Sequence, residues 1–369
     1  MSGNMDTSEP AGADQTPMEG SAVEGATDKE HGVLYVGVDM GTSRTSVSAS
    51  NGVRETLASV VGYPKDVVAR KLLKRDVVFG DEALEKRLSL NLYRPLEHGV
   101  LKSGDEHDGD KNLEAANALL RAAVAMCRAR KDELVYAVIG VPAQASIHNK
   151  RSIIDVARES VDSVMLCSEP FAVAYGLDML EDALVIDIGA GTTDLCRMHG
   201  TMPEDSDQIT LTYAGDFVDR ELSAALEQSC EGAQFTLGMV KATKEKYSFV
   251  HGQEEPVIVD FPVAGKPQPF DITKDLLESC KKVVPPIVEA LGRLVGSFDP
   301  EFQHKLRSRV LLAGGGSQIR GLDRAIEDEM KTTLGGGTVI RIEEPIYGGA
   351  NGALKIAHDM PEDFWEKLK

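Results

Sequence analysis

Two stretches of this chain follow one design, and any fold it adopts must accommodate both. Val33-Leu34-Tyr35-Val36-Gly37-Val38-Asp39 is a nearly continuous apolar run ending in a carboxylate, which reads as a buried strand. It leads into Met40-Gly41-Thr42-Ser43, after which small and β-branched residues carry the chain to the turn signal Asn51-Gly52. The design recurs at Ala183-Leu184-Val185-Ile186-Asp187-Ile188-Gly189, followed by Ala190-Gly191-Thr192-Thr193 and a short β segment to residue 198. Asp39 and Asp187 lie 148 positions apart, the spacing of one domain, so a duplicated fold is the economical explanation.

The rest of the chain fits two α/β halves. At 369 residues it exceeds what one hydrophobic core usually organises. Strands and helices alternate after the first motif: a helix near 111 to 129, a strand at 135 to 141 stopped by Pro142, a helix at 144 to 160 and a short strand at 164 to 168. Residues 61 to 98 read as a small inserted subdomain. After the second motif come a strand near 208 to 214, helices at 216 to 228 and 236 to 247, and a strand at 256 to 262. A long helix at 272 to 298 carries Pro285-Pro286, where a kink is expected. The expected boundaries are a first lobe at 31 to 182 and a second at 183 to 345, with an insertion at about 216 to 300. A helix within 346 to 369 is expected to cross back to the first lobe.

Residues 1 to 30 hold seven acids against the single base Lys29 and show no apolar periodicity, a composition that predicts disorder. The formal net charge of -19 argues against a nucleic-acid partner, because neutralising phosphate needs clustered Lys and Arg. No apolar run approaches a membrane span, and an acidic start cannot serve as a basic amphipathic anchor, so no direct membrane insertion is expected. Five scattered cysteines with no CxxC pair fit a reducing cytoplasm.

The chemistry sits in the turns. Gly41 and the glycines Gly189 and Gly191 let backbone N-H groups approach an anion without a Cβ in the way, and the hydroxyls of Thr42, Ser43, Thr192 and Thr193 add donors. Such turns cradle polyphosphate. Asp39 and Asp187 beside them are tolerable only with an intervening cation, and hard oxygen ligands select Mg²⁺, usually through its waters. One Asp-x-Gly-Thr is common in ordinary hairpins; two copies, each after a buried strand, point to a site. Gly314-Gly315-Gly316 follows a buried strand and precedes a helix, either as a tight turn or as backbone pressed against a flat nucleobase. Glu169, before Pro170, fits a plain helix start equally with a carboxylate that orients a water for attack on a γ-phosphate.

The ordered set Asp39-x-Gly-Thr, Val141-Pro142, Glu169-Pro170, Asp187-x-Gly-x-Gly-Thr-Thr-Asp194, Gly314-Gly315-Gly316 and Gly348-Gly349-Ala350 resembles the actin, Hsp70 and sugar-kinase superfamily. Within it the wording of Ser59-Val60-Val61-Gly62-Tyr63-Pro64-Lys65-Asp66-Val67 and Lys244-Glu245-Lys246-Tyr247-Ser248-Phe249-Val250 is similar to bacterial actins, in particular the magnetosome actin-like proteins. The resemblance implies an actin-like ATPase fold of duplicated ribonuclease-H-like domains, two lobes with four subdomains around a nucleotide cleft. It implies ATP or ADP as ligand, Asp39 and Asp187 near Mg²⁺, and Glu169 positioning the lytic water. Lys244 and Glu245 would meet ribose and adenine, with the glycines at 314 to 316 under the base. It also implies a double-stranded filament of the protein with itself that organises magnetosomes through magnetosome-associated adaptor proteins. Other bacterial actins, for cell shape or plasmid segregation, and a small-molecule kinase of the same superfamily are the alternatives.

Overall fold

The computed structural model describes residues 32–102, 106–252 and 255–368, so the acidic segment of residues 1 to 30 lies outside the described residues. Two five-stranded sheets dominate. In the first, Gly32–Met40 is the central strand; Arg44–Ala49 and then Arg54–Ala58 extend it antiparallel on one side, and Glu133–Val141 and then Ser163–Ser168 extend it parallel on the other. In the second, Ala183–Ile188 is central, with Thr193–Met198 and Gln208–Leu211 on its antiparallel side and Val310–Ala313 and Val339–Arg341 on its parallel side. Both sheets therefore have the same strand order, and the duplication legible in the motif extends to the whole wiring. Antiparallel neighbours need only short turns, whereas each parallel pair requires a crossover long enough to hold helices.

Alternation along the central strands decides where the aspartates point. Leu34, Val36, Val38 and Met40 join one apolar cluster with Ala116, Leu119 and Leu120 of helix Glu106–Met126 and Ile153 of helix Ile147–Arg158. Val33 and Tyr35 turn the opposite way, into a cluster shared with Val185, Phe171, Ala353 and Trp365. Asp39 has the parity of that second face, because successive side chains in a strand alternate. In the other half Leu184, Ile186 and Ile188 pack into a cluster with Leu222, Ile287 and Ile326, while Ala183 and Val185 face the shared layer, and Asp187 has their parity. Each sheet thus keeps a private core on one face and turns its aspartate toward a common middle layer.

Two helices pack closely in that layer. Glu169–Gly176 follows the last strand of the first sheet, and Gly348–Asp359, late in the chain, lies against it and against Gly32–Met40. The approach is close enough to require glycine: a Cβ on Gly352 would sit 1.7 Å from the Ala172 carbonyl oxygen, and one on Gly37 would sit 2.0 Å from that of Ala350. Because the obstructing atoms are backbone, neither can rotate aside. Gly352→Ala is expected to lower unfolding stability by about 2 kcal/mol, as overpacking does, read as a shift of the denaturant midpoint; an unchanged midpoint would mean that the helix seats elsewhere.

Several elements differ from the sequence expectation. The long helix at 272 to 298 is two helices, Thr273–Lys281 and Val284–Gly296, and Pro285 and Pro286 lie in the first turn of the second. Proline starts this helix rather than kinking one, since first-turn N-H groups have no intrahelical acceptor. A strand at Lys266–Asp271, absent from the expectation, pairs antiparallel with Ile258–Val263. Pro267 and Pro269 hid it, but a two-stranded hairpin has an open edge on each strand, where a missing N-H is tolerated. Within residues 61 to 98, Val61–Pro64, Val78–Phe79 and Leu90–Tyr93 form a three-stranded sheet over a small core of Val60, Leu73, Val78, Ala83 and Leu90.

Candidate functional site

A cavity of ≈ 500 Å³ opens where the two central strands end, and Asp39, Ser43, Glu169, Asp187, Gly189, Lys244, Glu245 and the glycines Gly314, Gly315 and Gly316 all line it. The two copies of the motif, distant in sequence, meet there because each aspartate ends a strand on the face turned to the middle layer. The register is alike in both hairpins: Asp39 pairs with Ser46, and Asp187 pairs with Asp194.

Charge is the most unusual property of the cavity. Glu169 and Asp187 are each over nine-tenths buried, and both carboxyls are held well above the usual range, first by burial and then by neighbouring carboxylates, Asp39 among them in each case. Burial pushes Asp39 up to about 6. Asp194 is also raised by burial, although it accepts hydrogen bonds from the Ala143 N-H (2.9 Å) and the Thr210 hydroxyl (2.5 Å). Like charges crowded in a poorly hydrated site disfavour their own ionisation. One oxygen, Oε1 of Glu169, is buried without a hydrogen-bond partner among the described residues. Such an atom in a native fold calls for something else to bind it.

The donor set fits a hydrated divalent cation shared with a polyanion. Among the described residues no three His, Cys, Asp or Glu side chains converge to hold a metal ion by themselves; Mg²⁺, which keeps several waters and uses one or two carboxylates beside a phosphate, does not require such a cluster. Gly189 and Gly314 to Gly316 of the second half, with Ser43 of the first, line the cavity beside these carboxylates.

Local geometry refines the roles of the turns. Thr42 and Gly191 are not among the cavity-lining residues; the Thr42 hydroxyl accepts the Gly99 N-H (2.8 Å), and the Gly191 carbonyl lies 2.9 Å from His98 Nδ1. The two-residue turn His98-Gly99, both residues with positive φ, thus knots the two phosphate-type turns together. Sequence reading missed it. Gly41 also lies outside the lining; its carbonyl accepts the Ser59 hydroxyl (2.7 Å). Thr192 and Thr193 correct the expectation of free donors: the Thr193 hydroxyl donates to the Tyr213 carbonyl (2.7 Å), and Thr192 hydrogen-bonds Asp194. Both hydroxyls hold the second hairpin in shape, since a buried hydroxyl takes a fixed partner rather than await a ligand.

The glycine triplet divides likewise. A Cβ on Gly314, whose φ is +77°, would lie 2.3 Å from Asp187 Oδ1, and one on Gly316 would lie 2.3 Å from Ile188 Cγ2. Those two glycines let the turn press against the strand that carries Asp187, and only Gly315 faces open space. Lys244 is similarly committed to the fold: its ammonium pairs with Asp219 (2.8 Å) and donates to the Gly215 carbonyl (2.9 Å), joining helix Leu237–Tyr247 to the start of helix Gly215–Ser229. Glu245, next to it, is exposed at the cavity. Sequence reading also passed over Lys241 and Asp216, which line the same wall; Lys241 lies one helical turn before Lys244, a spacing that shares a face.

Two sheets of identical wiring, a layer holding two helices between them and a carboxylate from each facing one cleft make up an actin-like fold. The chain belongs to the MreB/Mbl family: the family model for MreB/Mbl protein matches residues 34–363. Within that family it is similar to the actin-like protein MamK of Paramagnetospirillum magneticum, with 40% identity over 335 residues that span 91% of this chain and 95% of that protein. It is also similar to a solved MamK double helical filament, with a TM-score of 0.85 and 40% identity over 89% of this chain and 99% of the other. A non-polymerising MamK mutant bound to AMPPNP matches with a TM-score of 0.68 and 40% identity over 89% of this chain and all, 100%, of the other. No helix among the described residues is long and apolar enough to cross a membrane.

Proposed function

We propose that this chain is an ATP-dependent filament-forming ATPase that clamps Mg-ATP between two lobes, polymerises with copies of itself in the cytoplasm and organises magnetosomes into a chain. One observation carries the nucleotide reading: carboxylates from both halves, Asp39 and Asp187, converge with Glu169 on a glycine-walled cavity in which all three are held above their usual pKa. The similar MamK structures, one a double helical filament and one bound to AMPPNP, support the polymer and the nucleotide. The 40% identity to MamK supports the magnetosome role, with magnetosome-associated adaptors as partners. The lobes proposed are residues 31 to 182 and 183 to 345, with insertions at 61 to 98 and 216 to 300, and residues 346 to 369 returning to the first.

Asp39 and Asp187 would hold Mg²⁺ through its waters, and the ion would supply the charge neutralisation that phosphoryl transfer requires. The turn at Gly189 and the hydroxyl of Ser43, which line the cavity, orient the phosphates, and Gly41 and Gly191 shape the turns that carry them. Glu169, raised in pKa and with one oxygen unengaged, accepts a hydrogen bond from the attacking water and takes its proton. Glu245 presents a carboxylate to ribose hydroxyls, while the Lys244 stem and Gly315 line the base side. Shielding by the helix layer lowers the local dielectric and strengthens each of these contacts.

Sedimentation of the purified protein tests the reading. With ATP and Mg²⁺ it is expected to pellet as filaments, and with EDTA to stay in the supernatant. Absence of polymer at any concentration, accompanied by phosphate transfer to a sugar, would replace the filament reading with the kinase one.

A further inference from the structure

Helix Leu237–Tyr247 sends two lysines into the cavity, and they are held in different ways. Lys244 is buried and closed off by Asp219 and the Gly215 carbonyl, all within the second half. Lys241 instead spans the cavity, and its Nζ lies 2.5 Å from the hydroxyl of Ser43 in the first glycine turn. An ammonium carries three donors, and a neutral hydroxyl answers only one of them. Burial lowers the Lys241 pKa, against the pull of Asp216, Glu245 and Asp219, so keeping this cation half-buried opposite a neutral group costs stability unless an anion completes it. Ser43, which it reaches, is the residue of the first glycine turn that lines the cavity beside Asp39.

We propose that Lys241 binds the polyphosphate of the nucleotide, contributing from the second half a positive charge aimed at the Ser43 turn of the first. This rests on the nucleotide reading above and adds to it a residue outside the two Asp-Gly-Thr motifs. Since the lysine is carried by one wall and aimed at the other, a phosphate that it grips is held by both walls at once, and the contact favours closure of the cleft.

Calorimetric titration of the full chain with Mg-ADP, comparing wild type, Lys241→Met and Lys241→Arg, tests the proposal. Lys241→Met is expected to weaken ADP by about tenfold to a hundredfold, the effect of deleting one charge-assisted hydrogen bond. Lys241→Arg should restore the affinity to within about threefold, because it keeps the charge and the reach. Equal affinity in wild type and Lys241→Met overturns the proposal. So does a lowered unfolding midpoint in Lys241→Met with no recovery in Lys241→Arg, which marks a scaffold residue. Failure of wild type itself to bind ADP overturns the nucleotide reading, and this proposal with it.

Discussion

Glu169→Ala is expected to slow phosphate release by about 10² to 10⁴-fold, the contribution of a positioned general base, while assembly with Mg-ATP persists and filament turnover slows. Two features of the residue set the expectation. Its carboxyl enters the cavity from the first turn of a helix, a rigid mount, and Gly140 makes room for it, since a Cβ there would lie 3.3 Å from Glu169 Cγ. Its pKa is raised by burial and by the aspartates, which brings a carboxylate closer to the range in which it can accept a proton at neutral pH. Its removal takes a base from the cleft and leaves the cradle and both aspartates in place. Phosphate release followed with a coupled assay, beside sedimentation of the same samples, separates the two effects. Wild-type hydrolysis in the variant would strip Glu169 of this role.

Asp187→Asn should act in opposite directions on ligand affinity and on stability. Loss of one of the two carboxylates facing the cation is expected to cost about 3 to 5 kcal/mol of Mg²⁺-dependent nucleotide binding, the range seen when one partner of a buried charge pair is removed. The same change relieves crowding, so the protein in EDTA without nucleotide should gain stability at neutral pH, because the buried carboxylate whose ionisation is disfavoured is gone. The pH dependence gives a sharper reading. Asp39, Glu169 and Asp187 have pKa values raised on folding, so the native state binds protons more readily than the unfolded chain. Their contribution to stability is fully present below the ordinary carboxylate values and is lost as pH rises through the folded values, about 6 for Asp39 and well above the ordinary range for the other two. Thermal unfolding across that window in EDTA should show wild type declining and Asp187→Asn declining less. Parallel curves would mean that the carboxylates do not share a field.

Much of the site was legible because its residues belong to a local pattern written twice. A strand that ends in aspartate, followed by glycine and hydroxyl residues, needs only periodicity and turn chemistry to be read, and Asp39, Ser43, Asp187 and Gly189 line the cavity accordingly. Lys241 and His98 carry no such local sign. Lys241 matters through a contact with Ser43, 198 positions away, and His98 through one with Gly191, 93 positions away. Lys244 carried a role only through the resemblance; the structure puts it in the cavity lining with its ammonium already engaged by Asp219. Thr192 and Thr193 offered donors on paper, and burial turned those donors inward.

By itself the sequence determined that there are two related α/β halves and which face of each central strand is apolar, since hydrophobic periodicity and glycine placement are local properties that a chain carries before it folds. Tertiary structure decided which of the polar groups remain available. Whether a hydroxyl or an ammonium can meet a ligand depends on partners brought close from far along the chain, and a buried donor binds whatever acceptor the packing puts within reach.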